Sequence, residues 1–212
     1  MHSADRTFTT NGITLHGVEF PGAEPPIILM PGLTANAASF DALAARLSPA
    51  RRVLALDLRG RGRSDQPATG YTMADHAADI LGVLDALGID RAILGGHSFG
   101  GLLTIYLAAH HPDRVAKAIV LDVGELHPQV FALIQPSVQR LGQLYPSWDE
   151  YIAAVKAQPI FGGWWDPAIE RYYRADLRTL EDGQVTPRSR PETIAAASAG
   201  VQAERWGDLM AA

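Results

Sequence analysis

The segment Gly96-His97-Ser98-Phe99-Gly100 constrains this chain more than any other. It joins a short apolar run, Ala92-Ile93-Leu94, to a long one, Leu102–Ala109. The pattern predicts a strand, a sharp turn and a helix, with Ser98 at the apex. Glycines flank the serine because strand and helix backbones come too close there for a Cβ. The turn lifts the Ser98 hydroxyl clear of the backbone. It also aims the Phe99 N–H, at the helix start, toward negative charge formed nearby. A serine hydroxyl needs a base to become a nucleophile. No histidine follows His127.

The other apolar runs set the architecture. Thr7–Thr10 and Ile13–His16 flank Asn11-Gly12, a pair that supplies the positive φ angles of a type I′ hairpin. Ile27–Met30, Val53–Leu56 and Ala118–Leu121 are continuous apolar runs, as in strands buried on both faces. Helical spacing lies between them, at Phe40, Leu43, Ala44 and Leu47, and again at Met73, Ala77, Ile80, Leu81, Leu84 and Leu87. The second of these opens with Thr72-x-x-Asp75, a capping box, and closes at Gly88. Strands alternating with helices predict an α/β fold: a mostly parallel sheet with helices on both faces.

Composition shifts after Gly124. Ten of the 16 aromatic residues, with all four tryptophans, lie beyond it, and the β-branched runs stop. Helices are expected near Val130–Leu144, Trp148–Ala157, Pro167–Ala175 and Pro191–Met210. The chain therefore divides into a core, residues 1–124, and a helical cap, residues 125–212.

Bulk properties narrow the function classes. A net charge of −5 gives no reason to expect nucleic acid as a partner. Without cysteine there is no disulfide, thiolate or zinc–thiolate chemistry. No run approaches the length of a membrane span, and Met1–Arg6 holds no apolar leader, so a cytoplasmic location without membrane contact is the expectation. Gly60-x-Gly62 is too short for a dinucleotide or P-loop fingerprint. No cofactor or metal is expected.

Taken together, these residues resemble the α/β-hydrolase superfamily, from the first hairpin to the helical module. The elbow at Ser98 carries the resemblance most specifically. Pro31-Gly32-Leu33 resembles the family's oxyanion motif, with Pro31 where histidine is usual, and implies that the Leu33 N–H joins that of Phe99 as a donor. Asp57–Asp65 resembles the loop after the family's fourth strand. The resemblance implies a serine hydrolase of the carboxylic-ester type with a small, apolar acyl substrate. Ser98 in place of aspartate argues against the epoxide hydrolases and haloalkane dehalogenases of this fold. Lactonase, thioesterase, carbon–carbon hydrolase and perhydrolase chemistry would use the same parts.

The family places its acid and histidine on two further strand–helix units after the cap, about 30 residues each. The sequence stops at Ala212, where the next strand is expected, so it reads as the N-terminal part of such an enzyme, C-terminally incomplete. Two alternatives to a working enzyme stay open: a non-enzymatic hydrolase-like fragment, and one half of a split enzyme. In either case the strand ending at Leu121 becomes a sheet edge, and self-association through it is expected.

Within the chain, Asp122 is the candidate acid, with a turn-capping carboxylate as the competing role. His127, following a strand beside the elbow strand, is the candidate substitute base. The His97 ring is expected to face away from the serine, since neighbouring strand residues point to opposite faces. His16 reads as a hairpin surface residue and His76 as a solvated one. His110 and His111 read as helix-end residues. Asp57, Arg59 and Asp65 read as loop-organising pairs and caps. Arg171, Arg174, Arg178, Arg188 and Arg190 read as a solvated face. Trp164-Trp165 and Tyr172-Tyr173 read as cap core.

Overall fold

The computed structural model of the chain describes residues 3–123 and 128–211. Two antiparallel strands, β1 (Ala4–Thr10) and β2 (Ile13–Phe20), open it. Asn11 and Gly12 both have positive φ, 49° and 74°, as the hairpin turn requires. Then come β3 (Ile27–Met30), α1 (Asp41–Leu47), β4 (Val53–Leu56), α2 (Met73–Ala86), β5 (Ala92–His97), α3 (Phe99–His110) and β6 (Val115–Leu121). The six strands form one sheet in the order β1-β2-β4-β3-β5-β6. β4, β3, β5 and β6 run parallel, and β2 joins β4 antiparallel.

Period-two alternation sends each apolar run to two cores. Ile28, Met30, Leu54 and Leu56 pack under α2 and α3, with Ile80, Leu84 and Leu103. Ile27, Leu29, Val53 and Ala55 pack on the other face, with Phe40 and Ala44 at α1. Each fully buried aliphatic side chain contributes about 1.5–3 kcal/mol. Helix α2 begins with the expected capping box between Thr72 and Asp75. Helix α3 buries its first six residues, consistent with its lack of a polar stripe.

Beyond β6 come α4 (Pro128–Gln139), α5 (Trp148–Lys156), α6 (Pro167–Ala175), β7 (Leu177–Thr179), β8 (Val185–Pro187), α7 (Pro191–Gln202) and α8 (Trp206–Ala211). This half is not purely helical. β7 and β8 form an antiparallel ribbon, closed by a turn in which Gly183 has a φ of 84°. Three-residue strands are too short to show period two. The single helix expected over Pro191–Met210 is broken between Gln202 and Trp206. α7 and α8 return to the first core, where Ala197 and Val201 are buried and Trp206 packs alongside. Tyr151, Val155, Leu177 and Val185 form a separate core for the rest.

β6 is an outer strand. Ile119, Val120 and Leu121 are 36–41% exposed, unlike the apolar residues of β3 and β4. No helix among the described residues is long and apolar enough to cross a membrane.

Candidate active site

β3 lies between β4 and β5, so the chain direction across the sheet reverses beside it. Loops leaving the carboxyl ends of β3 and β5 diverge there and leave a crevice. The loop after β5 is the elbow. Ser98 sits at φ 50°, ψ −114°, a conformation that side-chain-bearing residues rarely adopt. A Cβ on Gly96 would run into the backbone of Gly100, and one on Gly100 into the carbonyl of Met30. The flanking glycines therefore let helix α3 start directly against two strands.

Ser98, Leu33 and Phe99 line one cavity of about 260 Å³, together with Leu102, Ile134 and Val201. Among the described residues, no acceptor takes the backbone N–H of Leu33 or of Phe99. Phe99 is the first residue of α3, where helix N–H groups have no partner within the helix. Both donors can therefore serve a ligand. A second cavity of about 430 Å³ adjoins the first at Ala35, His97 and Tyr172, and reaches Trp164 and Ile169. Tyr172 and the exposed Trp164 thus wall the crevice, contrary to the expectation of cap core. Trp165 and Tyr173 do pack into the core of the helical half.

The loop after β3 is held along its length. Gly32 O accepts from Ala35 N at 3.1 Å, closing a turn. The Ala37 N–H donates to Asp57 Oδ1 at 2.7 Å, Asn36 Nδ2 to the Tyr172 carbonyl at 3.3 Å, and Arg140 Nη2 to the Thr34 carbonyl at 3.2 Å. Arg140 is also paired with Asp176, and both are buried. Burial opposes the charge of Arg140, but facing Asp176 more than restores it, and the pKa is raised. Nothing in the sequence announced this contact, which spans 106 residues.

Asp57 is the organiser that its position suggested. Its Oδ2 accepts from the Arg63 N–H at 2.9 Å and from His16 Nδ1 at 2.8 Å. Arg59 pairs bidentately with Asp79, and Asp65 accepts the Thr14 N–H. His16 is not a surface residue. It is buried, with Nε2 3.1 Å from Asp5 Oδ1. Burial works against its protonation, but Asp57 and Asp5 prevail and the pKa is raised. His76, expected in solvent, is completely buried against the Phe99 ring, 4.9 Å between centroids.

No hydrogen bond joins Ser98 Oγ to a histidine among the described residues. The His97 Nδ1 lies over Gly32 and its Nε2 is 3.5 Å from Asp122 Oδ2. Asp122 follows β6 with a φ of 53°, and its side chain is 90% exposed. The carboxylate proposed as an acid thus meets His97 and not the serine. His127 lies outside the described residues.

Residues 25–176 match the family model of the alpha/beta hydrolase fold. The chain belongs to the α/β-hydrolase fold family. Among its relatives is a 2-(acetamidomethylene)succinate hydrolase of Mesorhizobium japonicum, 39% identical over 157 residues. That match covers 74% of this chain and 55% of the relative, so this α/β-hydrolase chain spans about half the relative's length. The crystal structure of E-2-(acetamidomethylene)succinate hydrolase superposes with a TM-score of 0.86 at 28% identity, covering 96% of this chain and 75% of that one. An α/β hydrolase from Novosphingobium aromaticivorans gives a TM-score of 0.77 at 32% identity, covering 90% and 70%.

Proposed function

We propose that this chain carries the nucleophile and oxyanion half of a serine hydrolase acting on carboxylic esters with an apolar acyl part. In this reading residues 1–124 are the catalytic core and residues 125–212 a cap over it. The observation that carries the proposal is the strained Ser98 facing a cavity with two unengaged backbone N–H groups. Ser98 Oγ attacks the acyl carbonyl while its proton passes to a histidine. The carbonyl oxygen becomes an oxyanion and takes the Leu33 and Phe99 N–H groups, each worth roughly 3 kcal/mol. The intermediate collapses, the alcohol leaves with the proton, and water later releases the acid from Ser98. Leu33, Phe99, Leu102, Ile134 and Val201 supply apolar walls, and no aspartate, glutamate, lysine or arginine lines that cavity among the described residues. This favours an uncharged acyl group.

The base is the open component. His127 with Asp122 is the in-chain candidate pair. A split enzyme, in which another chain brings the histidine, is favoured by the apolar edge at β6. The test is labelling by a fluorophosphonate and turnover of p-nitrophenyl butyrate in wild type, Ser98→Ala and His127→Ala. Both signals should vanish in Ser98→Ala. Turnover surviving in His127→Ala assigns the base elsewhere. A wild type that neither labels nor turns over ester overturns the enzymatic reading of this chain. A small residual rate does not argue for a working base, since oxyanion stabilisation and binding alone give about 10³–10⁴-fold over water.

A further inference from the structure

The Gly60-Arg61-Gly62 turn puts a cation where a core residue would be expected. Gly60 and Gly62 have positive φ, 76° and 53°. A Cβ on Gly62 would enter the Asp57 carboxyl group, and one on Gly60 the Tyr71 ring. Both neighbours are therefore confined to glycine, and the turn folds the Arg61 side chain inward, where it is completely buried.

There it touches both residues of the proposed oxyanion pair. Arg61 Nε donates to the Leu33 carbonyl at 3.0 Å. Its guanidinium carbon lies 4.5 Å from the centre of the Phe99 ring. Its Nη1 donates to the Arg59 carbonyl at 2.7 Å and to His76 Nε2 at 2.8 Å. His76 Nδ1 lies 2.9 Å from the Thr72 carbonyl, which fixes the donor there and leaves Nε2 as the acceptor. Burial and the adjacent Arg61 charge hold the His76 pKa well below its usual value, so it is neutral. Burial also pushes the Arg61 pKa down, to about 9, which leaves the guanidinium charged at neutral pH.

The charge is uncompensated. Asp79, the nearby buried carboxylate, is occupied by both Nε and Nη2 of Arg59. No carboxylate bonds to Arg61 among the described residues, and its Nη2 has no acceptor. Burying a cation without a counter-ion is unfavourable, and apolar side chains of similar volume often replace buried ions without loss of stability. Packing alone therefore does not call for arginine here. A fixed positive charge in a site shielded from water favours negative charge formed nearby, at no reorganisation cost.

We propose that Arg61 is the positioning residue of the Leu33–Phe99 donor pair, and that its uncompensated charge biases the site toward an anionic tetrahedral adduct on Ser98. The inference rests on the serine hydrolase reading. Arg61 holds the Leu33 backbone through its carbonyl and backs the Phe99 ring, and does not itself touch substrate.

The test uses n-butylboronic acid. Boron accepts a lone pair of Ser98 Oγ, the hydroxyl proton leaves to solvent, and the product is a tetrahedral anion visible by ¹¹B NMR. Butyramide serves as the neutral ligand of the same chain length. The variants are Arg61→Met, which removes charge and hydrogen bond, and His76→Glu, which places a carboxylate beside an intact Arg61. Thermal melting reports their stability. The expected result is a loss of roughly tenfold or more in boronate affinity in both variants, with butyramide affinity within about twofold. If Arg61→Met does not fold, His76→Glu alone decides, because its buried charges are paired. Equal losses for the two ligands, or none for boronate, overturn the proposal. Wild type that forms no adduct, or Ser98→Ala that still forms one, overturns the serine hydrolase reading on which it rests.

Discussion

The backbone N–H of Ser98 donates to the carbonyl of Leu121 at 2.9 Å. This bond extends the β5–β6 pairing by one residue and ties the elbow to the outer strand of the sheet. The strained Ser98 backbone is thus held from one side by β6 and from the other by the start of α3, where the Leu102 N–H bonds to the Ser98 carbonyl at 2.9 Å.

Gly100 should tolerate no side chain. A methyl group there meets the Met30 and Pro31 carbonyls, which are backbone atoms of the strand that leads into the Leu33 loop. Gly100→Ala should cost about 1–3 kcal/mol, as overpacking does, and is checked by urea denaturation. Full stability in that variant would contradict the close approach of α3 to β3.

The outer strand should promote association. Ile119, Val120 and Leu121 present apolar side chains beside a backbone edge that pairs with no further strand among the described residues, a combination that recruits further strands. Sedimentation velocity should show dimers or larger species whose proportion rises with concentration, and Val120→Lys should shift the population to monomer. A wild type that stays monomeric across two decades of concentration would remove this expectation.

His16 should make stability depend on pH. Its folded pKa is raised because Asp57 and Asp5 outweigh burial. Its contribution is then complete below the unfolded value, near pH 6.5, and is lost as pH rises through the folded value. The difference in unfolding free energy between wild type and His16→Gln should be largest at about pH 5–6.5 and shrink at alkaline pH. A difference that grows with pH would assign the opposite charge state.

Arg140 and Asp176 should behave as a coupled pair. Their side chains are only 5% and 1% exposed. Removing one leaves the other charged and buried, so Arg140→Met or Asp176→Asn should each cost about 3–5 kcal/mol. Arg140→Met with Asp176→Leu should recover most of the loss, since no charge is then stranded. Additive losses in chemical denaturation would show that the two do not interact.

Much of the core was legible because its signals are local. Asn11-Gly12 sets its turn, Thr72 and Asp75 cap α2, and Gly96 and Gly100 mark the elbow, each within a few residues. His76 was legible but misread. It stands three residues after Met73 and four before Ile80, on the same helical stripe, and its polarity obscured a buried position. His16 misled differently. A hairpin suggests the periphery, yet β2 is an inner strand between β1 and β4. Arg140 carries no local signal, because its partners at Thr34 and Asp176 are defined only once the chain has folded. The ribbon of β7 and β8 was hidden by strand brevity.

The anchoring of Thr34 and Asn36 by Arg140 and Tyr172 has a consequence for traffic through the crevice. Were the helical half to swing outward to admit a bulky molecule, it would take two of the loop's moorings with it. Admission would then loosen the loop that carries Leu33, and that loop would be held again only after the two halves had closed behind the guest.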